Sequence, residues 1–269
     1  MPEGDTIFRA ARALDRALRG GTVERFESVY PALANAELVG RTVEGVGAVG
    51  KHLLMRLSGG LVLRTHLRMN GAWHLYRPGE RWRAAKSRAR IVLATASFVA
   101  VGLDVPEAEL LREQDVPQSV VGRLGPDLLA ADFDLEEALR RLRSRPELEV
   151  GQALLDQTAL AGVGNEYKSE LLFICRLHPE TKVAALTDAE LRKLVDKARE
   201  LLARNVAEPM RGAGRWTTGS HDPSRRVYVY GRTGQPCPRC GTAIAWARHG
   251  PQARSTWWCP RCQRLQQTT

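Results

Sequence analysis

No stretch of this 269-residue sequence approaches the roughly 18 consecutive apolar residues that a membrane-spanning helix needs. The first residues lack a basic region followed by an apolar run, so no secretory signal is expected. Internal repeats and low-complexity tracts are missing too, while hydrophobic residues make up an ordinary 43%. A globular protein with a real core follows, and a disordered chain or a repeat array is excluded. Cysteine is scarce: five are present, which read as thiols or metal ligands and not as a disulfide framework. Acidic residues are in deficit, with 30 against 40 Lys and Arg, for a net charge of +10. Arginine carries most of the excess. A surface of this sign favours a polyanion, nucleic acid first; charge alone does not separate a nucleic-acid binder from a merely basic protein.

The chain changes character along its length. Asp5 can cap a first helix whose apolar stripe is Ile7, Ala11, Leu14 and Leu18, with Gly20-Gly21 ending it. From about 22 to 103 short β-branched or alternating runs follow one another: TVERFESV, TVEGVGAV, HLLMRL, LVLRTHL, GAWHLY, RIVLAT and FVAVGL. Gly59-Gly60 reads as a two-residue hairpin turn. This half is expected to be a β-sandwich or barrel, with RPGERWRAAKSRAR as a strongly basic loop inside it. Residues 117–132 are loop-like, and helices follow. DLEEALRRLRS pairs Asp134 with Glu137, and TDAELRKLVDKARELLARNV pairs Thr187 with Glu190, both capping-box patterns. The expected class is α+β and multidomain. An N-terminal β-sandwich with its leading helix covers 1–115, a helical domain 125–215 and a cysteine module 227–265.

Three local signals carry chemistry. In PCPRCGTAIAWARHGPQARSTWWCPRCQ, Cys237 and Cys240 are two residues apart, as are Cys259 and Cys262, at a pair spacing suited to a four-thiolate zinc site. Four ligands leave no open position for water, so one structural zinc ion is expected. Cys175 sits on an apolar helix face and reads as a buried thiol. In LLDQTALAGVGNEYKSELLF two helical patterns flank AGVGN, where Gly162 and Gly164 permit close backbone approach and Asn165 adds a donor. Such a turn can bind a phosphate at a helix N-terminus, or it can be a helix hairpin with glycines for packing. The third signal is the opening MPEGD. Removal of Met1 would leave Pro2 with a free secondary amine. An α-amine titrates near about 8 against about 10.4 for lysine, so far more of it is neutral at pH 7. A helix N-terminus just beyond it disfavours the ammonium further. Attack of that amine on an aldehyde carbon gives an iminium, which is a strong electron sink, and Glu3 beside it can move protons. The same residues also make an ordinary helix lead-in.

Taken in order over the whole length, PEG at 2–4, GKHLL at 50–54, HLRMNG at 66–71, RLGPD at 123–127, LLDQTALAGVGN at 154–165, VYGR at 229–232 and QARSTWWC before the third zinc cysteine resemble one family. It is the formamidopyrimidine-DNA glycosylase / endonuclease VIII family of base-excision repair. The opening PEG is similar to its endonuclease VIII branch. The resemblance implies a bifunctional DNA glycosylase and apurinic/apyrimidinic lyase, a hydrolase and lyase that excises an oxidised base, forms a Schiff base and nicks the strand by β- and δ-elimination. It implies a helix–two-turns–helix element and zinc finger in the second half, with damaged DNA in a basic cleft between the halves and Pro2 and Glu3 at its floor. It further implies a monomer working in the cytoplasm beside the nucleoid of a bacterial-type cell. By position, Pro2 would be the nucleophile on C1′ and Glu3 the acid/base that assists sugar opening. Lys51 would bind phosphate and donate a proton in β-elimination, and Arg254 would contact the phosphates around the lesion and serve δ-elimination. Asn165 would hold a lesion-flanking phosphate. Arg68 and Arg123 match DNA-contacting positions, and Met69 sits where the family fills the gap left by the flipped base. An apolar wedge suits that task, because it offsets part of the cost of unstacking.

Three departures bear on the substrate. Thr6 stands where the family often has a second Glu. The Arg-Arg-Phe wedge of the formamidopyrimidine branch is missing from FVAVGLDVPE, and TTGSHDPSRRVYVYGR is shorter than the loop that branch uses to cover 8-oxoguanine. All three favour oxidised pyrimidines. The alternatives are an 8-oxoguanine/formamidopyrimidine glycosylase and, in another class, a non-catalytic damaged-DNA-binding protein. A sequence-specific regulator lacks support, since no base-reading recognition helix or dimerising heptad is visible.

Overall fold

The apolar spacing at the start of the chain produces helix α1 (Gly4–Leu18), which buries Ile7, Ala11, Leu14 and Leu18 as expected. The cap is not Asp5. Glu3 takes the N-cap position with extended backbone (φ −126°, ψ −175°), and its carbonyl accepts from the amides of Thr6 and Ile7 at 3.0 and 3.1 Å. The helix therefore starts earlier, and Asp5 falls in the first turn, buried, where its charge suits the positive end of the helix. The computed structural model describes residues 2–208, 214–220 and 222–265. Met1, whose removal the Pro2 chemistry requires, lies outside them, as do residues 209–213 and His221 in the segment before VYVYGR. The chain divides between residues 123 and 124 into two units.

The first unit is a sandwich of two four-stranded antiparallel sheets. Its strands are β1 (Arg25–Ser28), β2 (Val43–Val49), β3 (His52–Leu57), β4 (Leu61–His66), β5 (Ala72–Tyr76), β6 (Ala89–Ala94), β7 (Val99–Leu103) and β8 (Glu107–Arg112). One sheet runs β1-β6-β7-β5, the other β2-β3-β4-β8. Leu53, Leu63, Leu93 and Ala100 meet Leu14 of α1 in the core. Seven strands follow the alternating runs closely. Two details differ. Leu57 pairs with Leu61, so the turn holds three residues, Ser58 to Gly60, with Gly59 and Gly60 both at positive φ. EAELLR, which has helix-forming composition, is the edge strand β8, because pairing along β4 from Leu61–Arg112 to His66–Glu107 overrides local preference. A one-turn helix α2 (Pro31–Ala34) was also not expected.

The second unit contains α3 (Leu135–Arg143), α4 (Val150–Ala153), α5 (Asn165–Cys175) and α6 (Asp188–Ala207), then the hairpin β9 (Ala245–His249) and β10 (Arg254–Trp258). Asp134 caps α3 through the Glu137 amide at 2.9 Å, but the Glu137 carboxylate turns to Arg140 and Arg141, so the box is half formed. At α6 the full box exists, with Glu190 N–H on Thr187 at 3.2 Å and Thr187 N–H on Glu190 at 2.8 Å. The GQALLDQ pattern yields only the single turn α4 before two turns lead into α5. Leu160, Tyr167, Leu171, Leu191 and Leu202 centre the core of this unit. Among the described residues no helix is long and apolar enough to cross a membrane.

Candidate functional site

The first unit gathers its candidate residues at one end. Asp15 of α1 accepts the Val46 amide at 2.7 Å, and the Gly20 amide donates to Val43 at 2.8 Å, so α1 runs antiparallel to β2. From that anchor, eleven helical residues back to Gly4 span about 16 Å at 1.5 Å each, and four strand residues forward to Gly50 span about 13 Å at 3.3 Å each. Pro2 and Glu3 thus reach the end of the sandwich that carries the Gly50–Lys51 turn. That turn is tight, since Val49 pairs with His52 and leaves only two residues, with Gly50 at φ +58°. Glu3 is fully buried, Pro2 and Lys51 half-buried.

His52 pairs across the sheet with His66, the last residue of β4, so the loop that follows belongs to the same end. Within it Arg68 has φ +47°, its amide donates to His66 Nδ1 at 3.1 Å, and its exposed guanidinium pairs with Glu107. Met69 beside it is 58% exposed, an apolar side chain at a loop tip with nothing to cover it. Gly71 closes the loop, because a Cβ there would meet the Leu67 carbonyl oxygen at 2.7 Å. Beneath this surface the rings of His52 and His66 meet edge to face at 4.8 Å, and buried Arg64 lies 2.9 Å from His52 Nδ1. Burial is the main cause holding His52 down to about 3 and His66 to about 4. Arg64, Arg68 and Lys51 push the same way, and Glu107 opposes them at His66. Both rings are neutral at pH 7 and leave the cationic role at this end to Lys51 and Arg68.

The second unit brings Asn165 and Arg254 together. Asn165 opens α5, and its Nδ2 donates to the Ser255 carbonyl at 2.8 Å, one residue from Arg254. Its Oδ1 is buried with no hydrogen-bond partner. One helical turn on, the buried Lys168 reaches the same strand, donating to Ser255 O at 3.2 Å and Thr256 Oγ1 at 2.6 Å. Arg254 is exposed at the first position of β10, opposite His249 across a turn that holds Gly250 at φ +69° and Ala253 at φ +48°. Lys168, Arg254 and Thr256 line a cavity of about 400 Å³ between the α4 region and the hairpin. Arg123 is exposed in the turn that ends the first unit.

The four cysteines Cys237, Cys240, Cys259 and Cys262 converge, with all four Sγ within 4.8 Å of one another. Tetrahedral zinc with Zn–S bonds of about 2.3 Å requires sulfurs about 3.8 Å apart, which this cluster fits. The Arg239 and Cys262 amides point at Cys237 and Cys259 sulfurs at 3.4 Å, as thiolate ligands require. Cys175 ends α5 half-buried, and burial pushes its thiol up to about 11, so it is inert.

Several supporting residues gave no sequence signal. Glu166 is held between Arg215 at 3.0 Å and Arg226 at 2.9 Å. Glu170, fully buried, accepts the amides of Tyr228, Val229 and Tyr230 at 2.7–2.8 Å and the Thr217 hydroxyl. Burial raises its carboxyl above the ordinary range, against the pull of those four donors. Gln263 ties the zinc knuckle to Leu177 O at 2.8 Å and to the Cys259 amide at 2.9 Å. For Glu166 and Glu170 the one clue is EYKSE, a charged stretch in a helix without an apolar stripe.

Comparison with known proteins agrees with this layout. Residues 1–110 match the formamidopyrimidine-DNA glycosylase N-terminal domain, residues 124–214 its H2TH domain, and residues 234–265 a zinc finger found in FPG and IleRS. Among curated relatives, a probable endonuclease 8 2 of Streptomyces coelicolor is 44% identical, over 98% of this chain and 94% of its own. The DNA-(apurinic or apyrimidinic site) lyase Nei2 of Mycolicibacterium smegmatis is 41% identical, over 98% and 99%. Among solved structures, Lactococcus lactis Fpg in complex with abasic-site DNA superposes with a TM-score of 0.83 at 27% identity, over 98% of this chain and all of that one.

Proposed function

The chain belongs to the formamidopyrimidine-DNA glycosylase / endonuclease VIII family, and from that premise we propose that it excises oxidised pyrimidines, with Pro2 as nucleophile. The enzyme is a bifunctional DNA glycosylase and apurinic/apyrimidinic lyase of base-excision repair, with DNA as its partner and one structural zinc. The observation that carries the residue assignment is the convergence of the α1 N-terminus, the Lys51 turn and the exposed Met69 loop on one end of the sandwich.

With Met1 removed, the Pro2 nitrogen attacks C1′, the bond from C1′ to the base breaks, and the base leaves with the bonding pair and takes up the proton that the Pro2 nitrogen sheds. Glu3, fully buried, protonates the sugar ring oxygen as the ring opens, leaving the iminium on Pro2. That cation makes the C2′ proton acidic. Its loss expels the 3′ phosphate in β-elimination, with Lys51 placed by its turn to hold a phosphate and supply a proton. Loss of the C4′ proton then expels the 5′ phosphate, held by Arg254, in a second elimination. Water then cleaves the iminium and frees Pro2. Met69 enters the gap left by the extruded base, and Arg68 and Arg123 bind backbone phosphates, which sets register without reading sequence. Asn165 acts at the base of the zinc hairpin, its free Oδ1 excluding an anion there and its backbone amide facing the phosphate. Every proposed group comes from one chain, so the reading needs no second copy.

Borohydride trapping tests the proposal. The substrates are matched oligonucleotides with an abasic site, 5-hydroxyuracil, or 8-oxoguanine opposite cytosine. Trapping on the first two and little on the third is expected, and retention of Met1, which makes the Pro2 nitrogen an amide, should abolish trapping on Pro2. Strong trapping on 8-oxoguanine reassigns the substrate. Binding without trapping removes Pro2 from the mechanism.

A further inference from the structure

The basic loop RPGERWRAAKSR has no part in the chemistry above. It folds over the outer face of the β1-β6-β7-β5 sheet, where Trp82 and Ala84 pack against Tyr76, Val92 and Val99. Between this loop and strands β1 and β6 lies a basin of about 1130 Å³. Its floor is apolar, with Val92 and Val99, and its rim is cationic, with Arg25, Arg77, Arg81, Arg83, Lys86 and Arg90. Two acids, Glu27 and Glu80, share that rim. Glu27 lies 3.6 Å from Arg25, and Glu80 is spent on the Arg77 amide at 2.9 Å. Arg77 stacks over Phe98 at 4.1 Å. Arg81, Arg83, Lys86 and Arg90 are exposed and form no ion pair among the described residues. Four unneutralised cations around one concavity repel each other, a cost that an anionic occupant relieves.

The aromatic wall narrows the occupant. Trp82 lies between Arg81 and Arg83 in sequence, and one face of its indole stacks on Tyr76 at 6.1 Å and 24°. The Tyr76 hydroxyl accepts the Arg83 amide at 3.2 Å, which fixes the loop. A ring packed on Tyr76 in a basin that Arg81 and Arg83 also line offers a stacking platform with phosphate-binding groups in the same concavity. The basin also exceeds the roughly 300–1,000 Å³ typical of small-molecule sites, which suits a segment of a polymer. We propose that this basin binds an unpaired stretch of nucleic acid, one base stacking at Trp82 and its flanking phosphates meeting Arg81 and Arg83. None of the residues lining it is among those assigned to catalysis, so it is a second nucleic-acid site on the first unit.

The test keeps the catalytic face occupied. The full-length enzyme is saturated with a short duplex carrying a tetrahydrofuran abasic analogue, which forms no Schiff base, so the outcome is independent of the Pro2 mechanism. Binding of a fluorescent oligothymidylate to that complex is followed by anisotropy across a salt series. The complex should bind it, and Arg81→Glu/Arg83→Glu should weaken binding at least about tenfold and flatten the salt slope by about 1.4, since each phosphate contact on single strands contributes about 0.7. Trp82→Leu should weaken binding while leaving the slope unchanged, because stacking carries no counterion release. Affinity for the abasic duplex should be the same in all variants. No binding to the saturated complex, or equal binding by the double variant, overturns the proposal. Displacement by poly-L-glutamate at equal charge would make the basin an acidic-peptide surface and also overturn it, as would a parallel loss of duplex affinity.

Discussion

Lys168→Met separates the chemistry of the second unit from its stability. The ammonium of Lys168 is 1% exposed and donates to Ser255 O and to Thr256 Oγ1, the two residues after Arg254. Hydrogen bonds from a charged donor contribute about 1.5–3 kcal/mol each. Removing them does not strand the acceptors: Ser255 O keeps the Asn165 amide at 2.8 Å, and the Thr256 hydroxyl donates to Arg254 O at 3.2 Å. Methionine fills most of the space and removes the cost of burying an ammonium, so the net change in stability should stay within about 1 kcal/mol. What goes is one of two clamps on the strand that aims Arg254. A loss of about 1.5 kcal/mol in holding that strand lowers the equilibrium constant for its correct placement about tenfold, given about 1.4 kcal/mol per factor of ten, and so the correctly placed fraction by up to that factor. δ-Elimination should therefore fall by up to about tenfold, while base excision and β-elimination, which the proposal gives to residues of the first unit, hold. Gel separation of the 3′-unsaturated aldehyde from the 3′-phosphate reads the ratio directly, and Arg254→Ala sets the floor. Equal slowing of all steps, or an unchanged product ratio alongside a shifted one in Arg254→Ala, refutes the clamp.

The Glu170 nest gives a graded result. Glu170→Gln can keep the Val229 and Tyr230 amides on its oxygen and turn its NH₂ to Thr217, which orphans only the Tyr228 amide and costs about 1–3 kcal/mol, whereas Glu170→Ala orphans all three and should cost at least twice as much in denaturant melts. Equal costs would refute the bonding scheme. His52 makes the first unit sensitive to acid. With the folded ring near 3 and an unfolded one near 6.5, the unfolded chain alone takes up that proton between those values, so stability falls as pH drops through this window. His52→Gln keeps an acceptor for Arg64 and should flatten part of that fall; an unchanged slope counts against a buried neutral ring. Cys259→Ser should release the zinc, measured with a chromogenic chelator, and reduce δ-elimination while the first unit melts as before. Simultaneous unfolding of both units would refute that independence.

Where one face of an element is buried and the other is wet, the residues announce it. Ile7, Ala11, Leu14 and Leu18 mark α1 and paired Cys-X-X-Cys spacing marks the metal site, while β3, β4 and β7, buried almost throughout, show as short apolar or β-branched runs. β8 escaped because its pairing with β4 is long-range and its composition, Glu-Ala-Glu-Leu-Leu-Arg, favours a helix. Asp5 was misplaced as a cap because an acid serves equally well one or two positions inside a helix, and only the backbone at Glu3 decides. The candidate residues were reached through motifs in register, not through local physics. Nothing in the sequence placed Lys51 and Met69 near Pro2. That follows from the antiparallel run of α1 along β2, fixed by Asp15 on the Val46 amide.

Four of the residues that escaped, Glu166, Lys168, Ser169 and Glu170, share one helix with the expected Asn165. Asn165, Glu166, Lys168, Ser169 and Glu170 are polar, yet every position of α5 from Asn165 to Phe173 is buried, so no amphipathic stripe could appear. A polar helix survives burial only if each group finds a partner. Here these side chains reach three separate parts of the chain. Asn165 and Lys168 hold the Arg254 strand, Glu166 takes Arg215 and Arg226, and Glu170 gathers the backbone of residues 228–230 just before the zinc cysteines. At the far end, Arg239 of the first zinc knuckle donates to the Phe173 and Ile174 carbonyls at 2.5 and 3.3 Å, capping the same helix. α5 is thus the post to which the hairpin, the knuckle and the preceding loop are tied. A buried polar network of this kind is worth little as net stability but permits only one arrangement of its partners. In the proposed role of Arg254, meeting a phosphate at hydrogen-bond distance needs that single arrangement more than it needs a more stable core.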